Sequence, residues 1–180
     1  MSSTPFFIGD LHLGHKKILE FSSAYRGGTN VEEHDEWIVK QWNSVVTKRD
    51  IVYVVGDVAF NKDKLVLLKR MNGQKNLVRG NHDTYSLKTY MEYFNNVYGL
   101  LKKWGYWISH PPIHPQELRG KHNIHGHVHH NSVTWWDHIE EDMVLDPRYV
   151  NVSVENNNGV PVSLDEINKI IKDRFNLTQI

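Results

Sequence analysis

The stretch Pro5-Phe-Phe-Ile-Gly-Asp-Leu-His12 decides the fold of this 180-residue chain. Its apolar residues predict a short buried strand, Pro5 to Gly9, which ends where Asp10 begins a polar turn. The same order of short strand, glycine and polar residue is predicted twice more, in Ile51–Val55 before Gly56-Asp57 and in Asn76–Arg79 before Gly80-Asn81. In open α/β sheets such polar residues lie at the carboxyl edge of the strands, where ligands bind.

The segments between and after these strands predict an α/β domain over residues 1–180, with no internal repeat and no domain boundary. Helices are predicted at Val31–Thr47 with a cap at Thr29 or Asn30, at Lys62–Met71, from Ser86 to Phe94, and at Leu164–Phe175 behind Ser163. Strands are predicted at Val97–Leu101, Tyr106–Ser109, Asn123–His125, Val133–Trp136, Tyr149–Val154 and Val160–Val162. Asn156–Gly159 is typical of a hairpin turn between the last two strands.

The composition excludes several classes of protein. Lys plus Arg and Asp plus Glu each number 21, so the formal net charge is zero and a protein that coats duplex DNA is not expected. The chain has no Cys, which excludes a disulfide framework, a thiolate zinc site and a Cys nucleophile. The longest fully apolar runs are about five residues, too short to span a membrane, and the N-terminus lacks the pattern of a signal peptide. We therefore expect a cytoplasmic protein.

Histidine is concentrated in one region: seven of the 12 His lie between His110 and His130. Asp10-Leu-His12 and His127-Val-His129 both place two ligand-type side chains two residues apart just after a predicted strand. Together with Asp57, Asn81 and His110, they supply oxygen and imidazole ligands that suit two divalent first-row metals such as Mn, Fe or Zn. Asp57 is the natural bridge, because one carboxylate can hold two cations about 3.5–4 Å apart.

These motifs resemble, in the same order, those of the calcineurin-like metallophosphoesterase superfamily. The matching segments are Asp10-Leu-His12, Gly56-Asp57, Gly80-Asn-His-Asp83, His110 and Gly126-His-Val-His129. Phe7 to Phe21, Val152-Ser-Val-Glu155 and Pro161 to Ile167 are similar to the small bacterial and phage-type branch. The resemblance implies a four-layer α-β-β-α sandwich in which helices flank two mixed sheets.

The resemblance also implies roles for individual residues. The first metal would take Asp10, His12, Asp57 and His129, and the second would take Asp57, Asn81, His110 and His127. The two divalent ions are expected to be Mn²⁺, with Fe, Zn, Ni or Mg as alternatives. His82 would act as general acid, with Asp83 orienting its imidazole ring.

The implied reaction is hydrolysis of a phosphodiester by in-line attack of a metal-bridging hydroxide, without a covalent enzyme intermediate. Val58-Ala-Phe60 after Gly56-Asp57 departs from the Asp-Arg-Gly continuation of Ser/Thr protein phosphatases, which argues against a phosphoprotein substrate. We expect a nucleotide-type or short single-stranded substrate rather than duplex DNA or a membrane. A phosphomonoesterase or nucleotide pyrophosphatase, and a catalytically weak scaffold, remain alternatives, and the oligomeric state stays open.

Some residues near these motifs have two possible roles. His15 could touch substrate or lie on the surface of a helix, and Arg26 could grip a phosphate or be solvated in a loop. Trp135-Trp136 could stack on a base or pack in a core or an interface. The neighbouring His114, His122, His125 and His130 are expected around the ligands or on the surface.

Overall fold

The first three predicted strands pair in parallel in one sheet, which brings their carboxyl ends to the same edge. The computed structural model describes residues 3–177, so the first two and last three residues of the predicted domain lie outside it. The first sheet has the order β11 (Val162–Ser163), β1 (Pro5–Ile8), β2 (Ile51–Val55), β3 (Gln74–Val78) and β4 (Asn96–Tyr98). Only the β11–β1 pair in it is antiparallel, so the sheet is mixed.

A second mixed sheet carries the histidine-rich region. Its order is β10 (Tyr149–Asn151), β7 (His122–His125), β6 (Tyr106–Ser109) and β5 (Leu101–Lys103). β7 runs parallel to both neighbours, and β5 runs antiparallel to β6. A separate antiparallel hairpin of β8 (Thr134–Asp137) and β9 (Asp142–Leu145) follows the histidine-rich loop.

The helices include one near each of the four positions predicted from the sequence. They are α1 (Ile18–Ser22), α2 (Val31–Val45), a 3₁₀ helix (Lys62–Arg70), α3 (Leu87–Tyr90) and α4 (Leu164–Leu177), with short 3₁₀ turns at Pro115–Glu117 and Val154–Asn156. Asn30 caps α2, since its side chain accepts the Glu33 N–H, and the Glu33 carboxylate accepts the Thr29 N–H. Within the described residues, the helices are all too short or too polar to span a bilayer.

Side chains alternate between the two faces of the first sheet and pack into two apolar cores, one on each face. Ile38 and Trp42 of α2 pack against one face of the first sheet, where Val52 and Val54 point. The opposite face meets the inner face of the second sheet, with Phe7, Tyr53, Ile108, Ile124 and Ile167 of α4 in one cluster. This confirms the predicted fold class, an α/β sandwich of two mixed sheets flanked by helices.

Two predicted strands are wrong because the chain changes sheets within them. Val97–Leu101 divides at Gly99 into β4 of the first sheet and β5 of the second. Tyr149–Val154 stops at Asn151, after which Ser153 forms a bridge with Gly9 in the other sheet. For the same reason Asn156–Gly159 is not a hairpin turn, since it connects β10 in one sheet to β11 in the other.

Two predicted helices differ in type or length. The segment from Lys62 is a 3₁₀ helix rather than an α-helix, and its buried residues Leu65 and Leu68 are three apart, which suits three residues per turn. The helix behind Ser86 ends at Tyr90 instead of Phe94, although Ser86 caps it as predicted by accepting the Thr89 N–H.

Candidate metal centre

The seven predicted metal ligands meet at one end of the sandwich. Each follows the carboxyl end of a strand: β1, β2 and β3 in the first sheet, and β6 and β7 in the second. Backbone hydrogen bonds join these loops, from Asp10 N–H to the Gly56 carbonyl at 3.0 Å and from Gly126 N–H to the His110 carbonyl at 3.0 Å. The residues brought together are Asp10, His12, Asp57, Asn81, His110, His127 and His129.

The ligand loops have an unusual backbone. Of nine non-glycine residues with positive φ in the described chain, five are predicted ligands: Asp10 (59°), His12 (50°), Asp57 (54°), His127 (72°) and His129 (53°). The left-handed region is uncommon outside glycine, and such conformations concentrate at functional sites. The ligand turns therefore adopt a strained backbone conformation that directs these side chains toward one another.

One ligand group contains Asp10, His12 and His129, whose ligand atoms all lie within 4.8 Å of one another. His12 Nε2 is 3.7 Å from Asp10 Oδ1 and 3.8 Å from Asp57 Oδ2. These four residues are the set that the resemblance assigns to the first metal.

A second group contains Asp10, Asp57 and His110 with the same mutual spacing. The Nε2 atom of His110 lies 3.3 Å from Asp57 Oδ2, 3.0 Å from Asn81 Oδ1 and 3.2 Å from His127 Nδ1. The residues assigned to the second metal thus surround one imidazole nitrogen, and Asp57 Oδ2 faces both groups.

The donor atoms fit a divalent cation. Asp10 Oδ1 and both ring nitrogens of His12 are buried, and within residues 3–177 they make no hydrogen bond. Leaving buried polar atoms unpaired is costly, whereas binding a cation would satisfy them. The carboxylate, amide and imidazole ligands match the preferences of first-row divalent metals.

Neighbouring groups hold the ligands in orientation. His110 Nδ1 donates to the Val55 carbonyl at 2.9 Å, which turns Nε2 toward the site. Asp10 Oδ2 accepts from His127 N–H at 2.9 Å and from Ser153 Oγ at 2.7 Å, leaving Oδ1 for a cation. Ser153 was not predicted as a site residue, although it lies in Val152-Ser-Val-Glu155, one of the segments that carry the resemblance.

Glycines at the strand ends allow this close approach. A Cβ on Gly80 would lie 2.2 Å from Asp57 Oδ1, and one on Gly126 would lie 2.5 Å from Asp10 Oδ2. Neither contact is tolerable, so the carboxylates occupy space that only glycine leaves open. The glycines thus shape the ligand site as well as the turns.

Arg26 contradicts both sequence readings, because it is neither solvated nor open to a phosphate. Its side chain is buried against Glu155, with Nη2 at 2.7 Å from Oε1, and it donates to the carbonyls of Asp10 and Leu11. Glu155 Oε1 also contacts His129 Nδ1 at 2.8 Å. Burial opposes ionisation of Glu155, but His129 and Arg26 outweigh it and lower its pKa to about 2. Arg26 therefore holds the backbone of Asp10, and Glu155 holds the ring of His129.

Asp83 also differs from its predicted role. Its buried carboxylate accepts N–H groups from Asp57 at 2.9 Å, Val58 at 3.0 Å and Gly80 at 2.8 Å. The prediction that Asp83 orients His82 is wrong, because these amides and the hydroxyl of Tyr90 at 3.3 Å take up its oxygens. Burial raises the pKa of Asp83. The residue ties the β2 and β3 loops together.

His82 and His15 lie at the mouth of the centre, beside Phe60. The exposed ring of His82 is 6.0 Å from the ring of His12, measured between centroids. The backbone N–H of His82 donates to Asp57 Oδ1 at 2.9 Å. His15 is half-buried, 5.7 Å from the His12 ring, and burial together with the neighbouring imidazoles lowers its pKa to about 4. Both rings therefore border the space in front of the ligands.

The remaining candidates lie farther out. His125 is buried in β7, with Nδ1 donating to the Gly126 carbonyl, and His130 stacks on Tyr25 with ring centroids 5.0 Å apart. Trp135 and Trp136 are 46% and 48% exposed on the β8–β9 hairpin, so neither is packed in the core.

Comparison with known proteins identifies a close relative of matching length. The uncharacterized protein MJ1445 of Methanocaldococcus jannaschii is 34% identical over 174 residues, which cover 93% of this chain and 90% of that protein. The chain belongs to the same family as this archaeal protein. No family model matches the chain.

A phage protein and a solved structure are also similar to this chain. The gene 66 protein of Mycobacterium phage D29 is 25% identical over 206 residues, covering 95% of this chain and 97% of that protein. A protein of unknown function, AQ665 from Aquifex aeolicus, has a similar crystal structure with a TM-score of 0.70 at 24% identity, covering 94% of this chain and all of that one. This likeness shows the fold.

Proposed function

We propose that this protein is a calcineurin-like, dinuclear metal-dependent phosphodiesterase acting on a nucleotide-type or short single-stranded substrate. The observation that carries the proposal is the double ligand group. Asp10 and Asp57 contribute to it from the first sheet, and His110 from the second. The buried, unpaired oxygen of Asp10 and nitrogens of His12 support cation binding independently of any motif.

The roles of the residues follow from their positions. Asp57 Oδ2 faces both ligand groups, so we assign it as the bridging ligand. Two bound divalent ions would lower the pKa of a water molecule and neutralise phosphoryl oxygens. His82 lies in front of the ligands and is exposed, so it can deliver a proton to the leaving oxygen of a bound ester.

A diester is favoured over a monoester by the position of Arg26. A monoester dianion needs an additional cation near the phosphate, and Arg26 was the candidate for that role. Because its guanidinium is buried and bonded to Glu155 and to two backbone carbonyls, it is not available to a substrate phosphate. A phosphomonoesterase or pyrophosphatase on the same ligands is the second candidate, and a weakly catalytic scaffold is the third.

The test is hydrolysis of bis-p-nitrophenyl phosphate and p-nitrophenyl phosphate by metal-stripped protein with added Mn²⁺. We expect Mn²⁺-dependent turnover of the diester that disappears in Asp57→Asn. On a diester with a poor leaving group, such as a dinucleotide, His82→Asn should retain Mn²⁺ binding while kcat falls about 10²–10⁴-fold. A preference for the monoester would favour the second candidate. Two bound ions without turnover of either ester would overturn the proposal in favour of the scaffold.

A further inference from the structure

Exposed aromatic side chains surround the mouth of the metal centre. Phe60 is 40% exposed, and its ring lies 4.0 Å from the ring of His15 and 4.7 Å from that of His82, measured between centroids. The ring of Phe21, which is 68% exposed, lies 6.5 Å from that of His15, also measured between centroids. We call Phe21, His15 and Phe60 the aromatic rim.

Phe60 of the rim is held in place by the same loops that carry the ligands. Phe60 N–H donates to the Leu13 carbonyl at 2.9 Å, and its carbonyl accepts from the Tyr85 hydroxyl at 3.0 Å. The ring also lies 5.3 Å from the ring of His12. A fixed aromatic face costs little conformational entropy when a flat ligand stacks on it.

We propose that the aromatic rim is a base-stacking subsite for the leaving nucleoside of the substrate. This inference rests on the proposed phosphodiesterase function. Because His82 is placed to protonate the leaving oxygen, the base of the leaving nucleoside lies next to the ring in contact with His82, which is Phe60. Stacking tolerates every base, so the subsite selects for a base without selecting its identity. Lys16 and Lys17, both exposed, follow His15 and can attract the backbone of a single strand.

The first experiment compares thymidine dinucleotides that carry an abasic deoxyribose on one or the other side of the phosphate. Removing the base from the leaving nucleoside should lower kcat/KM about 5- to 150-fold, while removing the other base should have less effect. The measured quantity is the ratio of kcat/KM with and without the leaving-side base. In Phe60→Leu and in Phe21→Leu this ratio should move toward one. A ratio also corrects for any general loss of turnover.

Phe175→Leu is the matched control. Phe175 packs on His122 at the other end of β7, with ring centroids 5.5 Å apart, and should keep the wild-type ratio. Wild-type protein that hydrolyses both dinucleotides equally well would overturn the inference. So would a ratio that persists in both rim variants, or one that falls equally in the control.

A binding measurement separates this inference from the proposed function. Calorimetric titration with Mn²⁺ present compares thymidine 5′-phosphate with 2-deoxyribose 5-phosphate. The nucleotide should bind about 5- to 150-fold more tightly to wild type, and this preference should shrink in Phe60→Leu. If the protein hydrolyses no diester but retains the preference, the function is wrong and the subsite stands. Equal affinity for the two ligands would refute the subsite even if hydrolysis is observed.

Discussion

Replacing Asp83 by asparagine distinguishes a residue that ties loops together from one that orients His82. The carboxylate accepts three backbone N–H groups, from Asp57 and Gly80 on Oδ2 and from Val58 on Oδ1. Asparagine keeps only one oxygen, so at least one buried N–H loses its acceptor, at a cost of about 1–3 kcal/mol. Weakening of the remaining bonds adds to this cost, whereas removal of the buried charge offsets part of it.

We therefore expect Asp83→Asn to lower the free energy of unfolding by about 2 kcal/mol, or Tm by about 4–8 °C in a chain of this size. Affinity for Mn²⁺ should fall about 10–100-fold, because Asp57 is no longer held at its backbone. Urea unfolding of metal-stripped protein measures the first quantity, and calorimetric titration with Mn²⁺ measures the second.

Asp50→Asn is the matched control. The Asp50 carboxylate is also buried and accepts from Thr4 N–H, Thr47 N–H and Thr47 Oγ, but it lies at the opposite end of β2. It should lose a similar amount of stability without weaker Mn²⁺ binding. Our reasoning is refuted if Asp83→Asn unfolds and binds Mn²⁺ like wild type while turnover is lost, since the carboxylate would then act on His82.

Three further changes probe the support of the ligands. Glu155→Gln should weaken Mn²⁺ binding about 10–100-fold in a calorimetric titration, and unchanged affinity would argue against its role in holding His129. In the folded protein the pKa of Glu155 is lowered to about 2, so ionised Glu155 stabilises the fold at pH values above the pKa that it has in the unfolded chain. The free energy of unfolding should therefore fall by about 3 kcal/mol as pH falls from about 4.5 toward 2. Urea unfolding at several pH values should show this loss in wild type but a smaller one in Glu155→Gln. Gly80→Ala should abolish Mn²⁺ binding, because its Cβ would overlap Asp57, whereas Gly99→Ala, with open space around it, should bind normally.

The strand ends were predictable because they depend on local sequence. Short runs of strand-forming residues followed by glycine and a polar residue placed β1, β2 and β3 within a few residues of their observed bounds. Strand partners were not predictable from the same pattern. Val97–Leu101 is apolar enough for one strand, but the crossing between sheets at Gly99 is decided by long-range pairing that hydrophobic periodicity does not encode.

The roles of Arg26 and Asp83 were not predictable for a related reason. Asp83 follows His82 directly, which suggests contact with that ring, and Arg26 precedes Gly27-Gly28, which suggests contact with a phosphate. Their actual partners are distant along the chain: Glu155 is 129 positions from Arg26, and Asp57 is 26 positions from Asp83. A charged side chain that pairs with a distant buried partner stabilises the fold instead of contacting substrate, and the local sequence does not predict such pairing.

The left-handed backbone at the ligands explains why the two sheets must come together before the site exists. Each such residue costs about 1–3 kcal/mol, so an isolated loop around His12 or His127 would relax to another conformation. Hydrogen bonds from other strands oppose this relaxation, including His12 N–H to the Asp57 carbonyl at 2.9 Å and His127 N–H to Asp10 Oδ2 at 2.9 Å. The second of these joins the two sheets. Loss of sheet docking therefore releases the strain at the ligands, so cation binding and packing of the second core should be lost together.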